Sequence, residues 1–280
     1  VVASKLLNPT AGMVAGSALL IDFILTIAIS VASGTDAVFS FLPLEWQPYR
    51  LPFAVVGILF LTLLNLRGVK ESIGPLVPVF VLFIVLHAGA LLWGIGSHAF
   101  DLPQLAADTV HQVRDTHHEL GLLGLLMLIL RAYGMGAGTY TGIEAVSSSM
   151  MIMREPRVQT AKTTLRYMSV SLAVMATGLF IAYLLNGVES VPGKTLNAVL
   201  FERITAGWPE PLGQGFVWLT LLSEMAILFI AAQAGFLSGP RVLASMAVDR
   251  WVPTRFASLS DRLVTHNGVL LMSAGAVITV

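Results

Sequence analysis

Long apolar runs separated by short polar stretches set the first reading of the chain. They fall at about 11–33, 51–67, 74–96, 120–153, 168–187 and 215–237, with a further run at 267–280. All but the last are long enough to cross a membrane as a helix, which takes about 17–25 residues. Lipid offers no partner to a free backbone amide, so segments of this kind are expected to be helical. The run 120–153 holds 34 residues. As one straight helix it would extend roughly 50 Å, so it is expected to bend or break, with 120–130 as a surface or re-entrant lead-in and 131–153 as the span proper. The run 267–280 has 14 residues, too few to cross. With Val1 at the start and no signal-peptide pattern, the chain reads as an internal piece of a longer membrane protein.

Composition agrees with the pattern. Of the 280 residues, 56% are hydrophobic and 11% are charged, whereas a soluble domain carries about 25% charged residues. The net charge of zero gives no footing for nucleic acid, and the absence of cysteine excludes disulfides and thiolate metal sites. The charges that remain are unevenly placed. The N-terminal lead and the stretches 67–73, 153–167 and 238–266 hold Lys5, Arg67, Lys70, Arg154, Arg157, Lys162, Arg166, Arg241, Arg250, Arg255 and Arg262, eleven of the sixteen basic residues. By the positive-inside bias these segments are expected to be cytoplasmic, in a multi-pass protein of the plasma membrane. The stretch 238–258 mixes Val, Leu, Met and Trp with Arg and Asp, and reads as an amphipathic helix lying along that face.

Four ionisable residues fall inside the runs: Asp22, Arg131, Glu144 and Glu224. Each costs a few kcal/mol in a bilayer and needs a reason. Counting from the run centres puts Asp22, Glu144 and, as a weaker candidate, Glu224 near the midplane. Arg131 is expected at the outer interface, where it can snorkel to headgroups. Three acids at one depth on three helices suggest a shared polar cavity. In "LLIDFILTIAISVASG", Asp22, Thr26 and Ser30 are spaced i, i+4, i+8, which stacks a carboxylate and two hydroxyls along one helical side. This row offers only oxygen ligands and suits a desolvated cation. The competing reading of the hydroxyls is that they bond back to their own helix carbonyls.

The stretch "LRAYGMGAGTYTGIEAVSS" adds a second element. Gly134, Gly136, Gly138 and Gly142 crowd together just before Glu144. Glycine costs about 1 kcal/mol relative to alanine in a helix interior, so the cluster predicts a helix break. Discontinuous helices at the midplane are a recurring binding device of secondary transporters, and Thr141 and Glu144, at i and i+3, would open the inner half-helix toward the cavity. A close-packing surface would explain the glycines but not the acid.

These motifs, together with "LNLRGVKES", "REPR" and "AAQAGFLSGPRVLASMAVDRWVP", resemble the amino acid–polyamine–organocation (APC) superfamily of permeases. Within it the likeness is to the Kup/KimA-type potassium importers and related amino acid permeases, and it runs along nearly the whole chain. The resemblance implies an all-α membrane protein with the LeuT/APC-type inverted-repeat helix bundle, this chain covering about helices 3 to 9 of 12. It also implies that Asp22, Thr26 and Ser30, with Thr141 and Glu144, line the cation site. Glu224 has no counterpart there.

The expected function is proton-coupled uptake of potassium by alternating access, because a carboxylate shut away from water holds either a proton or a cation. The alternative is an amino acid permease of the same fold, with free amides at the break taking the substrate carboxylate. Expected partners are the lipid bilayer, potassium or an amino acid, and protons, with a homodimer open. No cofactor is expected beyond the transported cation and the coupling proton. An intramembrane enzyme is a poorer reading. His111, His117 and His118 in "HQVRDTHHEL" fit no standard zinc spacing and read as part of a solvated loop, and His87 reads as a packing residue.

Overall fold

The computed structural model describes residues 7–68, 73–136, 143, 146, 153–258 and 265–280. Eight α-helices are seen among them: α1 (Pro9–Phe39), α2 (Arg50–Leu66), α3 (Ile73–Gly96), α4 (Leu102–Met135), α5 (Arg157–Leu185), α6 (Leu196–Thr205), α7 (Glu210–Val248) and α8 (His266–Thr279). Six helical stretches, beginning at Pro9, Leu44, Leu76, Ala99, Arg157 and Glu210, are long and apolar enough to cross a membrane. Local chemistry explains several boundaries. Asn8 caps α1, its side chain accepting from Ala11 N at 2.7 Å, with Pro9 at the first position, where its missing N–H is harmless. Thr195 caps α6 in the same way through Ala198 N at 3.2 Å.

The chain divides into two units, Val1–Phe83 with Trp218–Val280, and Ile84–Val217. In the first, α1, α2, α7 and α8 enclose a core that includes Phe23, Ile27, Val31, Ile58, Phe236 and Met272. Helices α1 and α7 run antiparallel at very close range. A Cβ on Gly16 would meet Met246, one on Gly235 would lie 2.6 Å from the Phe23 carbonyl oxygen, and one on Gly34 would meet Phe229 and the Met225 carbonyl. Small residues at such seams let backbones approach without a lost contact. Polar clasps complete this unit. Asn65 Nδ2 donates to Gln233 Oε1 at 2.7 Å, and Thr62 and Ser273 bond through their hydroxyls at 2.7 Å.

In the second unit, α3, α5 and α6 pack through Gly94 against Ile204 and Gly178 against Leu91. Arg203 donates to the carbonyls of Asn186 and Gly187, closing the α5–α6 connection. His87 is buried and sits edge-on to Phe201 with centroids 5.3 Å apart, the packing role expected of it.

Two expectations are corrected. Residues 238–258 do not form a separate surface helix, because α7 runs unbroken through Pro240 to Val248. The pattern there is amphipathic for another reason: Leu243, Met246 and Ala247 are buried, with Met246 against Gly16 of α1, so packing extends the spanning helix. The sequence "HQVRDTHHEL" is not a loop but part of α4, whose residues from Gln104 to Leu120 contain neither glycine nor proline. Within the run 120–153, most of the glycine cluster where the break is expected lies outside the described residues. Leu122–Met135 is helical through an exposed Arg131, and an interruption falls at Gly121, with φ 69° and ψ 175°. That conformation is essentially reserved for glycine. Nothing lies within 4 Å of a Cβ at Gly121, so the whole cost of Gly121→Ala is in the backbone. The substitution is expected to destabilise the protein by about 1–3 kcal/mol, read as a lowered melting temperature of the detergent-solubilised full-length protein.

Candidate functional site

The row Asp22, Thr26, Ser30 winds along α1 toward the interior. A step of four residues advances a helix by about 400°, so the row drifts by about 40° per step. Asp22 accordingly stands exposed in this chain, while Thr26 and Ser30 are 5% and 8% exposed, beside the core row Phe23, Ile27 and Val31. The three groups therefore do not share one environment. The carboxylate stands at the rim and the hydroxyls line the side that turns inward.

The hydroxyls differ from others in the protein. Thr62, Thr205, Thr164 and Ser40 each donate to a carbonyl one turn back, at 2.6–2.9 Å. For Thr26 and Ser30 no such back-bond is seen among the described residues. Both lie on the buried side of α1.

Glu224 does not belong at the depth of Asp22. The seam pairs Gly235 with Phe23 and Ile27, and Gly34 with Met225 and Phe229, so Glu224 lies level with the residues just beyond Gly34. That is about 15 residues of helix from the level of Asp22, roughly 22 Å at 1.5 Å per residue. The midplane count fails because α7 extends well past its apolar run, to Val248. Glu224 is half-buried there.

The glycine cluster is described only at its start. Gly134 lies in the last turn of α4 and Gly136 caps it, its N–H bonding to the carbonyls of Ala132 and Gly134. Ile143 and Val146 are helical, and Val146 is buried. Gly138, Thr141, Gly142 and Glu144 lie outside the described residues. The rings of His117 and His118 are 6.1 Å apart on the exposed side of α4. Among the described residues no three His, Cys, Asp or Glu side chains converge as a metal site would require.

Two polar features escaped sequence reasoning. Asp36 and Arg50 form an ion pair at 3.2 Å that joins the facing ends of α1 and α2, beside a fully buried Thr35 whose hydroxyl has no partner among the described residues. The second is the pair of clasps at Thr62–Ser273 and Asn65–Gln233. Its sequence signal is the i, i+3 placement of Thr62 and Asn65 in "LTLLNL", which an inventory of charges passes over.

The comparisons with known proteins agree with this architecture. Residues 1–280 match the family described as amino acid permease. The potassium transporter KimA of Bacillus subtilis (strain 168) is 30% identical over 285 residues, an alignment that covers 100% of this chain and 44% of the relative. The chain thus spans less than half the length of the curated relative it matches. A match along the whole chain, in a multi-pass all-α protein with six membrane-length helices, leaves one assignment: the chain belongs to the amino acid permease family of the APC superfamily, a family of transporters and not of enzymes.

Proposed function

We propose that the full-length protein imports potassium across the plasma membrane by proton-coupled alternating access. Asp22, Thr26 and Ser30 supply oxygen ligands from α1, and Thr141 and Glu144 supply others from the "TGIE" motif. The observation that carries this reading is the burial of Thr26 and Ser30 on the inward-turned side of the helix that carries Asp22. A cation stripped of water needs several oxygen ligands, and a row of hydroxyls on a helix that carries an acid offers them. The 30% identity to a protein named as a potassium transporter supports the same choice. In this reading the proton and the potassium ion alternate at the carboxylates, and both are cargo rather than cofactors. The basic segments 67–73, 153–167 and 238–266 face the cytoplasm, and a homodimer in the bilayer is compatible with the assignment.

The family description favours a second reading, uptake of an amino acid. Reconstituting the full-length protein in vesicles and following radioactive rubidium separates the two. Potassium is expected to compete fully and a mixture of amino acids not at all. Amino acid uptake without rubidium flux would replace the first reading by the second.

A further inference from the structure

We propose that residues 102–120, the first part of α4, form an interfacial helix that lies flat on the surface of the bilayer with one side inserted among the lipid headgroups and upper acyl chains. The sequence sorts around the helix with one exception, His117. At about 100° per residue, Leu102, Leu105, Ala106, Val110, Val113 and Leu120 fall within an arc of roughly 140°, with Thr109 and Thr116 between them. Asp101, Asp108, Arg114, Asp115 and Glu119 occupy the opposite side together with His111 and His118, while His117 falls within the apolar arc between Ala106 and Val110. The apolar side is uncovered: Val110 is 59% exposed, Val113 49% and Leu120 55%, and over 102–120 only Leu105 and Thr116 are even half-buried.

The occupant of that side follows from continuity. The helix is joined at its C-terminal end through the single residue Gly121 to the apolar stretch Leu122–Met135, and at its N-terminal end through the short 3₁₀ turn Ala99–Asp101 to α3. The first of these is an apolar stretch of 14 residues, and α3 is apolar and long enough to cross a membrane over Leu76–Gly96. A helix tied this closely to a membrane-length helix on one side and to an apolar stretch on the other has its apolar side at the level of the lipid surface. Its charge defines the kind of surface. With one arginine against Asp108, Asp115 and Glu119, the polar side is acidic and gains nothing from anionic lipid, so the contact rests on apolar insertion and suits zwitterionic headgroups. The glycine-only conformation at Gly121 sets the turn from the surface into the membrane.

The test uses spin labels on a cysteine-free background of the full-length protein, reconstituted in phosphatidylcholine vesicles. Labels are placed one at a time at Leu105, Val110, Val113, Asp108 and Asp115. Collision with oxygen, which concentrates in lipid, is compared with collision with a water-soluble nickel chelate. Labels at 105, 110 and 113 are expected to be several-fold more accessible to oxygen than to nickel, and labels at 108 and 115 the reverse, unchanged when the salt concentration is raised. Nickel access at all five positions would place the helix in water. Exclusion of both reagents at 110 and 113 would place it against protein. Either result overturns the proposal. Rubidium uptake by each labelled protein reports whether the fold is retained.

Discussion

Asp22→Asn in the full-length protein is expected to reduce rubidium uptake at least about a hundredfold while leaving the protein folded and inserted. Two unit charges about 4 Å apart attract by about 4 kcal/mol at an effective dielectric near 20, and each 1.4 kcal/mol is a factor of ten in affinity. Asparagine keeps the volume and one carbonyl oxygen but loses the charge, so a large part of that attraction disappears. The fold is expected to survive because Asp22 is exposed in this chain and contributes nothing to the core of Phe23, Ile27 and Val31. Uptake into vesicles, with size-exclusion behaviour and melting temperature measured on the same sample, checks both halves. Normal uptake would remove Asp22 from the site. Lost uptake accompanied by aggregation would assign it a structural role instead.

The second large effect is structural. Gly235→Val is expected to destabilise the protein by about 3 kcal/mol or more, at the upper end of what overpacking costs. Its Cβ alone would stand 2.6 Å from both the Phe23 carbonyl oxygen and Ile27 Cγ1. Relief by backbone movement is blocked, because α1 and α7 are also in contact at Gly34 and at Gly16, on either side of the clash. Gly89→Ala serves as a comparison, since nothing lies within 4 Å of a Cβ there. It is expected to leave the melting temperature of the solubilised protein nearly unchanged while Gly235→Val lowers it markedly. Equal effects would mean that the α1–α7 seam is not the close-packed element described.

What the sequence made legible follows from lipid physics. Backbone groups in a bilayer must be satisfied within the helix, so apolar runs became helices at 9–39, 50–66 and 73–96 nearly where hydropathy placed them. The errors share a cause. Helix ends were placed where apolar runs stop, yet packing and amphipathicity carry helices further. Residues 238–248 stay helical because Leu243, Met246 and Ala247 are buried, and residues 102–120 are helical although charged on one side. The depth assigned to Glu224 failed for the same reason, since a midplane counted from one run ignores the register of the neighbouring helix. The row Asp22, Thr26, Ser30 was legible as a spacing, but its drift from rim to interior needed the core row beside it. The clasps at Thr62–Ser273 and Asn65–Gln233 carry no charge and so left no mark in an inventory of intramembrane ions.

Equilibrium binding of radioactive rubidium to the purified full-length protein tests the central claim most directly, by comparing the wild type with the double variant Thr26→Val, Ser30→Ala. Both substitutions remove a hydroxyl for which no bond is seen among the described residues, so the melting temperature is expected to hold. Rubidium affinity is expected to fall at least about tenfold, the equivalent of about 1.4 kcal/mol. Unchanged rubidium affinity in a stably folded double variant would contradict the account.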